Sequence, residues 1–157
     1  MRIRTLRTEI NFILVANRMN IHFSAKMYTI GIDVGTSSVK ALLVSSSGEV
    51  LKVSTPEYPF QTPRPLWAET DPYVWWDATR EAIRSLLLEI NPSSVTAIGL
   101  TGQMHGLVLL DEQGQVLRPC IMWNDQRSHL ECEEISELVG DKKVLEITGN
   151  PVLAGFT

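Results

Sequence analysis

The stretch YTIGIDVGTSSVK, residues 28–40, constrains the fold more than any other part of this chain. Tyr28, Ile30, Ile32 and Val34 alternate with other residues, the period-two pattern of a β-strand with one face toward a core. A second apolar run, residues 39–44, begins directly after Gly35, Thr36, Ser37 and Ser38, which predicts a hairpin. Its tip gathers the Asp33 carboxylate, a glycine, three hydroxyls and the Lys40 cation, a set suited to holding a polyphosphate and its magnesium. Gly35 lets the backbone approach an anion, and successive turn N–H groups can point at one oxygen. Asp33 would face the metal, because Mg²⁺ accepts only one or two protein carboxylates and keeps much of its water. Gly-Thr-Ser-Ser is also ordinary turn chemistry, so the tetrad alone favours a tight turn. The full spacing Asp-x-Gly-Thr-x-x-x-Lys between two apolar strands reverses that preference.

Downstream, Ser45, Ser46, Ser47 and Gly48 mark a turn, and residues 49–55 alternate like a half-exposed third strand, which completes an antiparallel meander. Pro56, Pro59, Pro63 and Pro65 exclude regular structure over residues 56–68, where Trp67 is expected to pack. Asp71 can cap a helix and Pro72 suits its first position. Val74, Ala78, Ala82, Ile83, Leu86, Leu87 and Ile90 recur at three- and four-residue steps, so an amphipathic helix is expected over about 72–90. Trp75 and Trp76 are assigned to the core, and Asn91-Pro92 stops the helix.

Residues 95–100, VTAIGL, form a nearly uninterrupted apolar run, the pattern of a strand buried on both faces and parallel to its neighbour. Meander, helix and buried strand, in that order, open a ribonuclease H-like α/β domain. Ligands of such open sheets collect beyond the carboxyl ends of the strands, which is where residues 101–106 stand. A second hairpin is expected over 107–122 around Asp111, Glu112, Gln113 and Gly114. A helix over about 128–139 follows, with Ser128 as cap, Glu131 in the capping-box position and Gly140 as terminator. Cys132, Ile135, Leu138 and Val139 supply its apolar face, and a short helix or turn covers 142–147.

At 157 residues and 44% hydrophobic, the chain can build one domain with a real core. Its charge is uneven: +4 over residues 1–26 and −8 over the remainder. An acidic body argues against a nucleic-acid surface, where clustered Lys and Arg would stand, and leaves small metabolites as the expected partners. Cys120 and Cys132 are too few for a disulfide framework and fit a reducing, cytoplasmic setting. The apolar run 13–16 is far too short to span a bilayer, and no membrane partner is expected. Residues 1–26, ahead of Met27, read as an over-extended leader without fixed structure, preferred over an organelle transit peptide. Residues 27–157 are then the folded domain.

Two polar clusters carry the functional signal. Gln103, Met104 and His105, between Gly102 and Gly106, put an amide, a soft apolar chain and an imidazole at one strand end, with glycines leaving room for a close approach. A lone histidine beside a strand is more often a satisfied structural group. The second cluster changes the balance. Trp123 offers a flat apolar face for the C–H side of a sugar, and Asn124, Asp125 and Arg127 offer donors and acceptors for its hydroxyls. The plainer reading of Asp125 and Arg127 is a surface ion pair that contributes little.

The spacing Asp33-x-Gly-Thr-x-x-x-Lys40 resembles the first phosphate loop of the sugar kinase, actin and heat-shock ATPase superfamily. Further motifs add to it: the stretch holding Trp67, Glu69, Asp71, Pro72, Trp75 and Trp76; Gly102-Gln-Met-His-Gly106; Trp123-Asn-Asp-Gln-Arg127; and Thr148-Gly-Asn150 through Phe156-Thr157. With these, the chain from about Met27 onward closely resembles the N-terminal domain of the FGGY carbohydrate kinase family, and within it the xylulokinases. Gln-Met-His-Gly and Trp-Asn-Asp separate it from glycerol kinases, which carry charged residues where Met104 and His105 stand.

The resemblance implies a ribonuclease H-like, actin-like ATPase and sugar kinase fold, a mixed sheet with flanking helices. It also implies ATP-dependent phosphorylation of D-xylulose at its 5-hydroxyl, with Mg²⁺. By position, Asp33 is the catalytic and metal-supporting residue, and Gly35, Thr36, Ser37, Ser38 and Lys40 hold phosphate. Met104 and His105 bind the ketose, Trp123 lines the sugar pocket, and Gln103, Asn124 and Asp125 join them from their neighbourhood. Phosphoryl transfer then needs positioning, charge neutralisation and a base within reach of the sugar hydroxyl. Family members are far longer, with two such domains facing across a cleft and the base Asp beyond Thr157. Thr157 therefore reads as a truncation point, and the chain alone is expected to have no turnover. D-xylulose is the expected partner, with a homodimer open to the full-length protein. The alternatives are another FGGY kinase acting on ribulose, gluconate or a glycerol-type substrate, and a non-catalytic actin-like nucleotide-binding module. The central expectation is that Asp33 and His105 face each other across one shared crevice.

Overall fold

The alternation at the start of the domain is realised as β1 (Tyr28–Val34), which buries Tyr28, Ile30 and Ile32 and turns Thr29 and Asp33 to the other side. This computed structural model describes residues 27–155; the reading of residues 1–26 as a leader, and Phe156 and Thr157, lie outside the described residues. β2 (Val39–Ser45) runs antiparallel to β1 and buries Val39, Ala41 and Leu43 on the same face. β3 (Val50–Ser54) pairs antiparallel with β2 and completes the meander.

The apolar face of the meander is covered by α1 (Pro72–Leu86), whose Ala78, Ala82 and Leu86 pack on Ile30, Ile32, Val39, Ala41 and Leu43. Asp71 caps it as expected, accepting from Tyr73 N–H at 3.0 Å. The helix ends at Leu86, short of the expected residue 90, because the backbone leaves helical geometry at Leu87, φ −87° and ψ 0°. Leu87 and Ile90 still pack against the core from the turn that follows. Trp75 joins that core, but Trp76 stands off the buried stripe and is 62% exposed, which corrects its core assignment.

After a 3₁₀ turn at Pro92–Ser94, β5 (Val95–Gly102) runs parallel to β1, giving the sheet order β3-β2-β1-β5. The parallel pairing is as expected, and the burial is not. Leu100 is 74% exposed and Ile98 is also exposed, because β5 is the outer strand and α1 lies over β2 and β3 instead. Its outer edge is unpaired among the described residues.

A second sheet joins β4 (Glu69–Thr70) to β6 (Cys120–Ile121), antiparallel. The hairpin expected over 107–122 is present as isolated antiparallel bridges, Leu107–Ile121 and Leu110–Val116, with β6 as its one regular strand. Its turn is held by Asp111, whose carboxylate accepts from Gln113 N–H at 2.9 Å and Gln115 N–H at 2.7 Å. α2 (His129–Val139) and α3 (Asp141–Thr148) follow, divided by Gly140 at φ 84°. Ser128 stands at the start of α2 without the expected side-chain cap bond. The apolar face expected of α2 is only partly covered: Cys132 is half-buried, and Leu138 is 78% exposed.

Candidate functional site

β1 and β5 are neighbouring parallel strands, with Asp33 opposite Thr101 and Val34 opposite Gly102. The Gly35–Ser38 turn and residues 103–105 therefore leave the sheet at the same end, where an open α/β sheet collects ligands. Gln103 N–H donates to the Val34 carbonyl at 2.9 Å and ties the two segments together.

At that end Asp33 and Lys40 are direct cross-strand partners, both exposed. They line a cleft of about 370 Å³ with Gly31, Leu42, Gly99 and Thr101. Among the described residues no group of three or more His, Cys, Asp or Glu could hold a metal by itself. Magnesium carried in on a phosphate needs only one or two protein carboxylates, and Asp33 would supply one, with Lys40 beside it as a partner for phosphate oxygens.

The turn itself is braced from outside. Gly35 N–H donates to the Ser38 carbonyl at 2.9 Å, so this N–H is spent within the hairpin and not turned toward an anion as expected. A Cβ at Gly35 would lie 3.0 Å from that same carbonyl oxygen, which is the local reason for glycine. Val39 N–H donates to the Pro56 carbonyl at 3.1 Å, Tyr58 N–H to the Ser37 carbonyl at 2.9 Å, and Tyr58 O–H to the Gly35 carbonyl at 2.6 Å. Burial, with the Asp33 charge nearby, pushes the Tyr58 hydroxyl up to about 12, so it remains a donor at neutral pH. Sequence reasoning missed Tyr58. The available signal was one large aromatic between Pro56 and Pro59, just after the strand that returns alongside the hairpin. Tyr58→Phe removes one part-buried bond and is expected to lower stability by about 1 kcal/mol, read from urea unfolding.

The second cluster meets the first through Trp123. Its Nε1–H donates to Thr36 Oγ1 at 3.0 Å, so a residue expected in the sugar pocket touches the phosphate loop. Met104 and His105 are exposed, and His105 has φ 68°. His105 lines a cleft of about 500 Å³ with Leu107, Met122, Arg127, Glu131 and Gly155. Asp33 lines the first of these clefts and His105 the second, and the Gln103–Val34 and Trp123–Thr36 bonds join the segments that carry them.

Three expected ligand residues sit differently. The Gln103 side-chain amide and Asn124 Oδ1 are shut off from solvent with no hydrogen-bond partner among the described residues. The room left by two glycines is filled by the protein: a Cβ at Gly102 would lie 3.0 Å from the Val34 carbonyl oxygen, and one at Gly106 2.8 Å from Cys120 Sγ. Asp125 is only 2% exposed, so its pair with Arg127 is not a surface one, and it lies at the wall of the same cleft as His105.

Its carboxylate accepts from Ala68 N–H at 2.6 Å, Arg127 N–H at 2.9 Å, Arg127 Nε–H at 2.9 Å and Arg127 Nη2–H at 2.7 Å. Burial alone would raise the Asp125 carboxyl, but these bonds and the Arg127 charge bring it below its ordinary 3.8. The Asp125 bond, with help from Glu69, raises Arg127 in turn. Arg127 Nη1 reaches Glu69 Oε1 at 2.8 Å, and its guanidinium lies 3.6 Å from the Trp67 ring centroid. This clasp fastens the Trp123–Arg127 turn to the segment around β4, so Asp125 and Arg127 position Trp123 from behind.

Residues 28–157 match the N-terminal domain of the FGGY family of carbohydrate kinases. A xylulose kinase of Escherichia coli (strain K12) is 46% identical over 128 residues, covering 82% of this chain and 26% of that protein. The crystal structure of a xylulose kinase from Brucella ovis aligns with 44% identity and a TM-score of 0.72, over 83% of this chain and 27% of that one. A gluconate kinase from Lactobacillus acidophilus aligns with 27% identity and a TM-score of 0.78, over 83% and 26%. The chain spans about a quarter of the length of these relatives. The fold is the ribonuclease H-like, actin-like ATPase fold expected from the order of its elements. The chain belongs to the FGGY family of carbohydrate kinases.

Proposed function

We propose that this chain provides the phosphate loop and part of the sugar wall of an ATP-dependent kinase that phosphorylates D-xylulose at its 5-hydroxyl. The observation that carries the reading is the Trp123 Nε1 to Thr36 Oγ1 bond, which sets the face suited to a sugar against the turn suited to a phosphate. Lys40 and the turn hydroxyls neutralise and orient phosphoryl oxygens, Trp123 and Met104 cover the apolar side of the ketose, and His105 donates to a ketose hydroxyl. Asp33 would hold magnesium with the nucleotide, where the ion supplies charge neutralisation at the transferred group. The identity to the Escherichia coli xylulose kinase supports D-xylulose as substrate. Among the described residues no helix is long and apolar enough to cross a membrane, and both cysteines are unpaired. We place the enzyme in the cytoplasm.

A chimera tests the assignment. Residues 28–155 of this chain replace the matching segment of the Escherichia coli enzyme, and the product is assayed against D-xylulose, gluconate and glycerol with ATP. Preference for D-xylulose is expected, with kcat falling roughly 100-fold on Asp33→Asn. A folded chimera that prefers gluconate, the substrate named for a structural neighbour, would overturn the sugar assignment.

A further inference from the structure

The Thr36–Trp123 bond has a fixed polarity. An indole nitrogen only donates, whereas a hydroxyl has one proton and two lone pairs, so Thr36 Oγ1 must accept here and its own proton turns elsewhere. The neighbouring turn carbonyls already have donors: Gly35 from Tyr58 O–H, Ser37 from Tyr58 N–H, Ser38 from Gly35 N–H. Each of these carbonyls is already engaged once, so a charged phosphoryl oxygen seated at the turn is the stronger acceptor for the Thr36 proton.

Trp123 is pinned from its other side. Met122 N–H donates to the Ala68 carbonyl at 2.9 Å, Asp125 N–H donates to the Met122 carbonyl at 3.0 Å, and Gly155 packs so close that a Cβ there would fall on the Trp123 carbonyl. Trp123 is nevertheless 41% exposed, so part of the residue stays accessible while its N–H is held.

Resting on the kinase reading, we propose that this pair couples the two subsites. The indole directs the Thr36 proton toward a phosphoryl oxygen, and a pentulose seated on the ring holds the indole where its N–H reaches Thr36. Each ligand then tightens the other, since coupling between two sites is reciprocal. Trp123 is on this account a positioning residue for the phosphate as well as a wall for the sugar.

The test uses the ¹⁵N-labelled 157-residue chain, with the Trp123 indole N–H resonance assigned through Trp123→Phe. D-xylulose is titrated at millimolar levels with and without Mg²⁺-tripolyphosphate. The Trp123 resonance is expected to move with tripolyphosphate, and the apparent Kd for D-xylulose to fall roughly fivefold, the low end of ordinary coupling. Thr36→Val and Trp123→Phe, checked as folded by their amide spectra, abolish that factor, and Thr36→Ser restores it. Binding of both ligands with no mutual effect, or a factor that survives Thr36→Val, overturns the coupling and leaves the kinase reading standing. If neither ligand shifts any resonance, the site reading fails and the coupling fails with it.

Discussion

Replacing Arg127 with methionine is expected to destabilise the chain by about 3–5 kcal/mol, read as a lower urea midpoint at unchanged slope. Methionine preserves much of the packing volume over Trp67 but removes the cation from a carboxylate that is 2% exposed. Asp125 would keep its bond from Ala68 N–H and lose the guanidinium, which leaves a buried charge uncompensated. Adding Asp125→Asn is expected to recover part of the loss, because the orphaned charge goes with it. The acid limb carries the same signature. Asp125 is held below its ordinary 3.8 in the folded state, so its contribution is complete above that value and disappears as pH falls through the folded value. In Arg127→Met the depression shrinks, and so does this part of the acid sensitivity.

Leu86→Ala is the second large effect, about 2–5 kcal/mol by far-UV circular dichroism during urea unfolding. Leu86 is 1% exposed in the last turn of α1 and belongs to the cluster that includes Ile30, Val39 and Leu43, the reverse side of the strands that carry Asp33 and Lys40. Removing its side chain leaves a cavity beneath the hairpin. Leu88→Ala, two residues further on and 76% exposed, is expected to change stability by less than about 0.5 kcal/mol. A comparable loss at both positions would contradict the packing described for α1.

What the sequence could disclose follows from the range of each signal. The β1–β2 hairpin and α1 were legible because period-two alternation and an Asp-Pro start are local, and the structure keeps both. The direction of β5 was legible too, but not its exposure. An apolar run reports what a strand can bury, whereas the covering layer is decided by elements elsewhere in the fold. Asp125 and Arg127 look the same in sequence whether they lie on a surface or under one. Only Glu69, Ala68 and Trp67, brought in from the far side of α1, make them a buried clasp. Tyr58 and the Thr36–Trp123 bond were hidden for the same reason, since no local period connects them to the loop they hold.

His105 sits in the left-handed backbone region, where a side chain other than glycine costs about 1–2 kcal/mol. A glycine would take the same bend at ease. On the proposed ketose-binding role, this backbone strain is what presenting an imidazole here costs the fold.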